Sequence, residues 1–562
     1  MKSSARVFQK IGIPEWVAIA GTSVLLGLGW FLLLYDRYSL YFTHVSWIYA
    51  FGRDPLQHQL GWEFFRHEPW SFPLGTIKQY GTPIGTSVTF LDSIPLFAFF
   101  FKILSPLLEK NFQYFGLWEL TSVIMQILSG MLIMREFTQS YLLKILGASL
   151  LVLSPVMIFR AYGHNSFSAH WILLLAIYFI ILEYRHRPVC WLWIMLFALA
   201  MLIQLYFVPM LIPLWLIWMV FRYRNEKRKW TLILEPLKVA GAILLIGFCA
   251  GLFTLKMNIL SAGGYGTYSW NLGGFFNPIG FSKYIKSIPI AETQEEGFSY
   301  LGLGYALVVL IGFILFWVKD SARNQWKFFL PIILASAVYT LYALSNKAMF
   351  YNTVLWEIQL PEPLLHVLDL FRSSGRFIWP VFYFMILFGM LALVRNIPSV
   401  ITVPIFAAAI ILQFFDLQPL YTPKKVSGFG DYSTGGLNSE FWEHAWKVNE
   451  RIIIIPTEYY ESLALYAVHH DLTISSGYFG RADVNAMETF ASDIWDGLLA
   501  GESDPKTIYV LSDQQHMDEA GAELIESLYI CEIDQYDVLF SRDNQITETD
   551  FDFESVCAVP GT

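Results

Sequence analysis

Long apolar runs dominate the first three quarters of the chain, and the charged residues fall between them. The runs lie at about 14–34, 115–134, 143–160, 168–183, 189–207, 208–221, 234–256, 301–318, 328–345, 375–394 and 397–415. Most approach the roughly 20 residues that carry a helix across a bilayer. The first run follows a basic segment, MKSSARVFQK. It is too long for the apolar region of a signal peptide and has no small-residue cleavage site behind it. It reads as a retained span with a cytoplasmic N-terminus. The basic clusters at Arg185–Arg187 and Arg222–Lys229 belong on the cytoplasmic side. The apolar stretch between them is therefore a hairpin of two spans, turning near Phe207–Pro209. Lys319–Lys327 and Arg395 mark further cytoplasmic turns.

Alternation then places segments at about 36–90, 161–167, 257–300 and 346–374 outside, with everything after 416. The run from Ile94 to Leu108 is short and contains Lys102, so it reads as re-entrant or interfacial. This gives 11 full spans, or 11–13 with latitude around residues 92–145. Residues 418–445 are rich in Gly, Ser, Thr and Pro and read as a linker. Beyond them strands are expected at 451–456, 472–478, 507–511 and 536–541. Helices are expected up to His470, at 484–499 and at 518–528. That alternation predicts a small α/β domain over 446–562 with a mostly parallel sheet. The fold class is a polytopic α-helical membrane protein, residues 1–417, with a C-terminal extracytoplasmic α/β domain.

Composition agrees with this plan. Of 562 residues, 55% are hydrophobic and only 15% charged, against about 25% charged in a soluble domain. Residues 418–562 hold 7 Lys+Arg against 26 Asp+Glu, a net of −19, which leaves +10 for residues 1–417. An acidic domain is repelled by anionic cytoplasmic lipid, and neither part suits nucleic acid. Cys531 and Cys557 fall in the outer domain, as a disulfide or as two thiols.

Ionisable residues beside a membrane are costly, so their positions are informative. The first outer segment, GRDPLQHQLGWEFFRHEPWSFPLG, gathers Asp54, His58, Glu63, Arg66, His67 and Glu68. Asp54 and His58 share a face if the segment is helical. A carboxylate there suits a general base or a metal ligand. The bland alternative is a solvated loop with an aromatic belt. In RAYGHN, His164 is a proton shuttle, a ligand or a turn residue, with Asn165 beside it, and Arg160 meets a phosphate or snorkels. In LFRSSGRFIW, Arg372 and Arg376 would project from one helix face toward a lipid phosphate or pyrophosphate, or pair with Asp369 or Glu362. SAGGYGTYSWNLGGFFNP offers Tyr265, Trp270, Asn271 and Asn277 on a flexible loop suited to a sugar, or is simply a mobile surface loop. Phosphate-loop, nucleophile-elbow, HExxH and paired CxxC motifs are absent from the sequence.

These residues resemble the GT-C superfamily of integral membrane glycosyltransferases. More narrowly, GRDPLQHQLGWEFFR, FLDSIPL, RAYGHNSFSAHW and FRSSGRFIWP are similar to an uncharacterised bacterial multi-span family distantly related to YfhO-like proteins. The resemblance implies a sugar moved from a polyprenyl-phosphate or pyrophosphate carrier on the outer face of the bacterial inner membrane, with Asp54 activating the acceptor. The acceptor, whether glycan, lipid or protein, is not identified. Many such enzymes carry a second acidic residue where this chain has His164 and Asn165. The sequence establishes no cofactor; a divalent metal, Mg or Mn, is compatible with the resemblance, but His164 and Asn165 do not supply the second carboxylate of a two-carboxylate metal site. The competing readings are a transporter or flippase of lipid-linked glycans, against which the mostly charge-free apolar runs argue although Lys102 and Glu119 keep it open, and a non-catalytic envelope scaffold.

Overall fold

A computed structural model describes residues 14–226, 230–254, 263–318, 326–425, 436–519, 524, 527–546 and 557. The basic N-terminal flank, Lys227–Lys229, residues 319–325, Ser261–Ala262 and linker residues 426–435 lie outside the described residues. The chain is mostly helical. Among the described residues, seven helices are long and apolar enough to cross a membrane: Glu15–Leu34, Phe115–Arg135, Asn165–Tyr184, Phe207–Asn225, Leu232–Ala250, Ser374–Asn396 and Ser399–Asp416. Shorter apolar helices cover Pro95–Leu107, Tyr141–Val152, Cys190–Ile203, Leu303–Val318 and Phe328–Leu344. The strands are β1 (Thr76–Ile77), β2 (Thr86–Ser87), β3 (Lys347–Phe350), β4 (Thr353–Glu357), β5 (Arg451–Ile455), β6 (Thr473–Ile474), β7 (Thr507–Leu511), β8 (Leu528–Ile533) and β9 (Tyr536–Ser541).

The fold divides into two compact units. The first comprises Met1–Trp47, Glu109–Ile246 and Ser261–Gly428; the second comprises Ile48–Leu108, Gly247–Leu260 and Phe429–Thr562.

In the first unit, the Phe115–Arg135 helix packs on Glu15–Leu34 and Tyr141–Val152, and Leu303–Val318 packs on the helices beginning at Trp379 and Ser399. The apolar stretch after Arg187 breaks between Ile203 and Phe207 into two helices, close to the expected turn. The run at 143–160 is not one helix. Pro155 has no N–H to continue the ladder, so a helix ends at Val152 and a new one starts at Pro155. The first-unit end of the expected linker forms turns over Gln418–Lys425; its other end, in the second unit, enters the Phe441–Val448 helix, whose Phe441, Trp442 and Ala445 are buried.

In the second unit the sheet runs β6-β5-β7-β9-β8. β5 pairs in parallel with β6 and β7, while β7–β9 and β9–β8 are antiparallel. The sheet is therefore mixed, not mostly parallel. The departure comes from Leu528–Ile533, which pairs with β9 through a turn at Asp534 (φ 54°) instead of extending a helix. Leu528, Ile530, Cys531 and Ile533 are buried and Glu532 is exposed, and the β-branched Ile530 and Ile533 with Tyr529 suit a strand. The β-branched run of β5 and the fully buried β7 form the centre, packed on Trp495 and Leu498 of the Val484–Leu499 helix. Cys531 and Cys557 form a disulfide.

The same sheet accepts a segment of the early chain. Tyr80 pairs in parallel with Ile474 of β6; Gly81 and Thr82 donate to the Ile474 carbonyl, and Ile474 donates to that of Gln79. The Tyr80 ring stacks on Phe64 and meets Phe479 edge-on. Lys102, on the short Pro95–Leu104 helix, places its ammonium over the Phe65 and Trp70 rings.

Candidate functional site

In the second unit the first outer segment is a helix, Arg53–His67. Asp54 lies in its first turn, where the helix dipole favours a carboxylate. It is half-buried, and its Oδ1 accepts from the Tyr478 hydroxyl at 3.2 Å. His58, one turn on, is fully buried, and burial pushes its pKa down to about 3. It is neutral at physiological pH. Glu63 is also buried; Gln59 Nε2 donates to it at 2.6 Å, and His469 Nε2 lies 3.4 Å from its other oxygen. Glu68 accepts the backbone N–H groups of Lys78 and Gln79 and so organises the following loop. His67 is exposed. Asp54 is thus the member of the cluster that combines partial exposure with a carboxylate at a helix start.

In the first unit the charged residues of three distant segments meet. The Pro155–Arg160 helix ends on Arg160, whose Nη2 lies 2.8 Å from Glu296 Oε2 and 2.9 Å from the Glu296 carbonyl oxygen. Arg376 Nε donates to the same Oε2 at 2.7 Å. The Arg376 guanidinium also lies 4.1 Å from the centre of the Phe167 ring, and Arg160 lies over Trp379. Burial pushes the Glu296 carboxyl up, but Arg160 and Arg376 outweigh it and hold the group well below the usual range. The approach depends on glycine: a Cβ on Gly375 would lie 2.8 Å from the Gly297 Cα.

This cluster forms part of the wall of a cavity of about 410 Å3, which His164, Tyr268, Glu292 and Glu295 also line. Arg372 is half-buried, with its guanidinium 5.4 Å from the Tyr268 ring centre. Among the described residues it has no ion-pair partner.

Several expectations change here. Residues 369–378 form two 3-10 turns, so Arg372 and Arg376 do not share an α-helical face. Glu296 pairs with both Arg160 and Arg376, a carboxylate other than the expected Asp369 or Glu362. Glu296 lies 136 residues from Arg160 and 80 from Arg376. The signal was present in ETQEEG, three glutamates in an outer loop of a charge-poor chain. The glycine-rich loop, from Gly263 on, is internally bonded rather than a flexible display. Trp270 Nε1 donates to Ser299, Asn271 bonds to Gln294 and Tyr351, and Asn277 ties down Ile288. The Tyr265 N–H donates to Asp369. Asn165 is buried, with its carbonyl accepting from Trp118 Nε1. Among the described residues no three His, Cys, Asp or Glu side chains converge to hold a metal ion.

Residues 24–418 match the family model described as "Domain of unknown function (DUF6311)". The chain belongs to this family. Residues 441–541 match the DUF6311 C-terminal domain, which begins at the Phe441–Val448 helix and ends at the last residue of β9. A comparison with curated proteins finds no match.

Proposed function

We propose that this DUF6311 protein is a membrane glycosyltransferase of GT-C type. It takes a sugar from a polyprenyl-phosphate or pyrophosphate carrier and transfers it to an acceptor on the outer face of the bacterial inner membrane. In this reading the chain has 11–13 spans, a cytoplasmic N-terminus and an extracytoplasmic C-terminal unit. The observation that carries the reading is Arg372. A guanidinium without a carboxylate partner among the described residues, held over an aromatic ring that lines a carboxylate-walled cavity, suits an anionic group attached to a hydroxylated one. The guanidinium pairs with phosphate oxygens, while Tyr268, Glu292 and Glu295 offer a ring face and acceptors for sugar hydroxyls. Arg376 holds Glu296 in place beside it. Asp54 is the acceptor-activating base, the role that the resemblance assigns: its carboxylate would take the hydroxyl proton as the glycosidic bond forms.

The test is transfer by purified protein in lipid, with a panel of labelled polyprenyl-phosphate sugars. Arg372→Ala should raise the donor KM about 10- to 100-fold, the worth of one charged hydrogen bond. Asp54→Asn should abolish turnover while leaving donor binding intact. Normal turnover by Asp54→Asn would remove that residue from the chemistry. Movement of an intact lipid-linked glycan across the bilayer without transfer would replace the enzyme by a flippase.

A further inference from the structure

The connector between the Trp326–Leu344 helix and the span starting at Ser374 is the β3–β4 hairpin followed by a short helix, Glu362–Leu368. A strand that covers a core alternates buried and exposed residues. β4 does not: all five of its residues are exposed. Phe350, Leu355, Trp356, Ile358, Leu364 and Val367 are each between 43% and 61% exposed. This surface continues a stripe on the preceding apolar helix, where Leu330, Ile333, Leu334, Val338 and Leu341 are also exposed at helical spacing. The hairpin is nevertheless firmly built. Lys347 pairs with Glu357 across its base, and the Asn271 amide bonds Tyr351 on the free side of β3.

We infer that residues 346–368 form an interfacial anchor seated in the headgroup layer of the leaflet at the end of these two helices. The occupant is lipid because the apolar surface is continuous with the exposed stripe of an apolar helix, is followed in the chain by a membrane-length one, Ser374–Asn396, and ends in Trp356 and Tyr351, residue types that favour that layer. The depth follows from the backbone. Among the described residues β4 pairs only with β3, so its outer edge is open. Open edges do not occur in hydrocarbon, which keeps the hairpin at headgroup level. Arg372 follows the anchor by four residues and is thereby held at the level of lipid phosphates. The anchoring stands whether or not the chain transfers sugars.

The test uses the full chain in nanodiscs of phosphatidylethanolamine and phosphatidylglycerol. Tryptophan emission of the native protein minus that of Trp356→Phe isolates Trp356. Lipids brominated near the headgroup end of the acyl chain should quench this difference spectrum, and aqueous iodide should not. A second probe, Leu355→Cys carrying an environment-sensitive dye with Cys190 and Cys249 replaced by serine, should show blue-shifted emission and the same quenching. Quenching by iodide but not by bromolipid would place the patch in water and overturn the inference. Quenching by neither would place it under another protein and also overturn it.

Discussion

Replacing Glu296 by glutamine tests the ion cluster of the first unit directly. The side chains of Arg160 and Arg376 are 3% and 7% exposed and share one carboxylate that is itself 22% exposed. Glutamine keeps the shape and removes the charge, leaving two cations with little water. Removing one partner of a buried pair costs about 3–5 kcal/mol. Two features place this case near the lower end, about 3 kcal/mol. Arg160 keeps its bond to the Glu296 carbonyl, and both guanidiniums keep their aromatic faces. The assay is reversible unfolding in mixed micelles of rising SDS fraction, followed by circular dichroism, with Arg160→Met closing a double-mutant cycle. The pH dependence has a definite sign. The folded carboxyl titrates well below the 4.5 of an ordinary glutamate, so its contribution is complete above about pH 4.5 and is lost as pH falls through the folded value. Glu296→Gln should therefore cost its full amount at pH 7 and less in acid. A cost within about 0.5 kcal/mol of zero at pH 7, typical of a surface site, would refute the cluster.

Gly375→Ala should cost about 1–3 kcal/mol through overpacking, because its Cβ meets Gly297 and Ser269 backbone atoms at 2.8–3.0 Å. Gly21→Ala, with nothing within 4 Å, should be neutral or stabilising in the same unfolding assay, and equal effects would remove the steric argument. His58 predicts acid lability of the second unit. Unfolded, it takes a proton near pH 6.5; folded, burial delays this to about 3, so stability falls across that window by about 1.4 kcal/mol per pH unit. His58→Gln should flatten that slope, and an unchanged slope in unfolding curves between pH 7 and 4 would refute it.

The elements legible in the sequence were those set by local pattern. The strand IIII and the helix of Trp495 follow from local pattern within a few residues, and the flanking basic clusters place a turn near Phe207–Pro209, close to the break between Ile203 and Phe207; the segment of Asp54 reads as a loop, and its helix, Arg53–His67, does not follow from periodicity. What was not legible depended on distant partners. Nothing in the neighbourhood of Arg376 indicates that it meets Glu296, since the pairing requires Gly297 and Gly375 to touch. Trp270 and Asn271 look displayed because their glycine neighbours signal a loop, yet β3 and Ser299 draw them inward. LYICEI reads equally as a helix end or a strand until β9 is available to pair with it. Asp54 stood out by residue type and place, but its Tyr478 partner lies 424 residues away.

The union of the early segment with β6 also bears on how the protein is made. Tyr80 and the Tyr478 amide that donates to its hydroxyl are separated by 398 residues. At about 5–20 residues per second, the ribosome delivers the second partner roughly 20–80 s after the first. Through that interval Gln79–Thr82 has no edge to join, and Phe64 and Tyr80 lack their covering Phe479. The nascent chain thus carries an unfinished sheet site throughout synthesis of its apolar helices. A chaperone that shields exposed aromatic surface during that delay would raise yield. A chain cut before β5 would leave the site permanently open, a substrate for quality-control proteases even with its apolar helices in place.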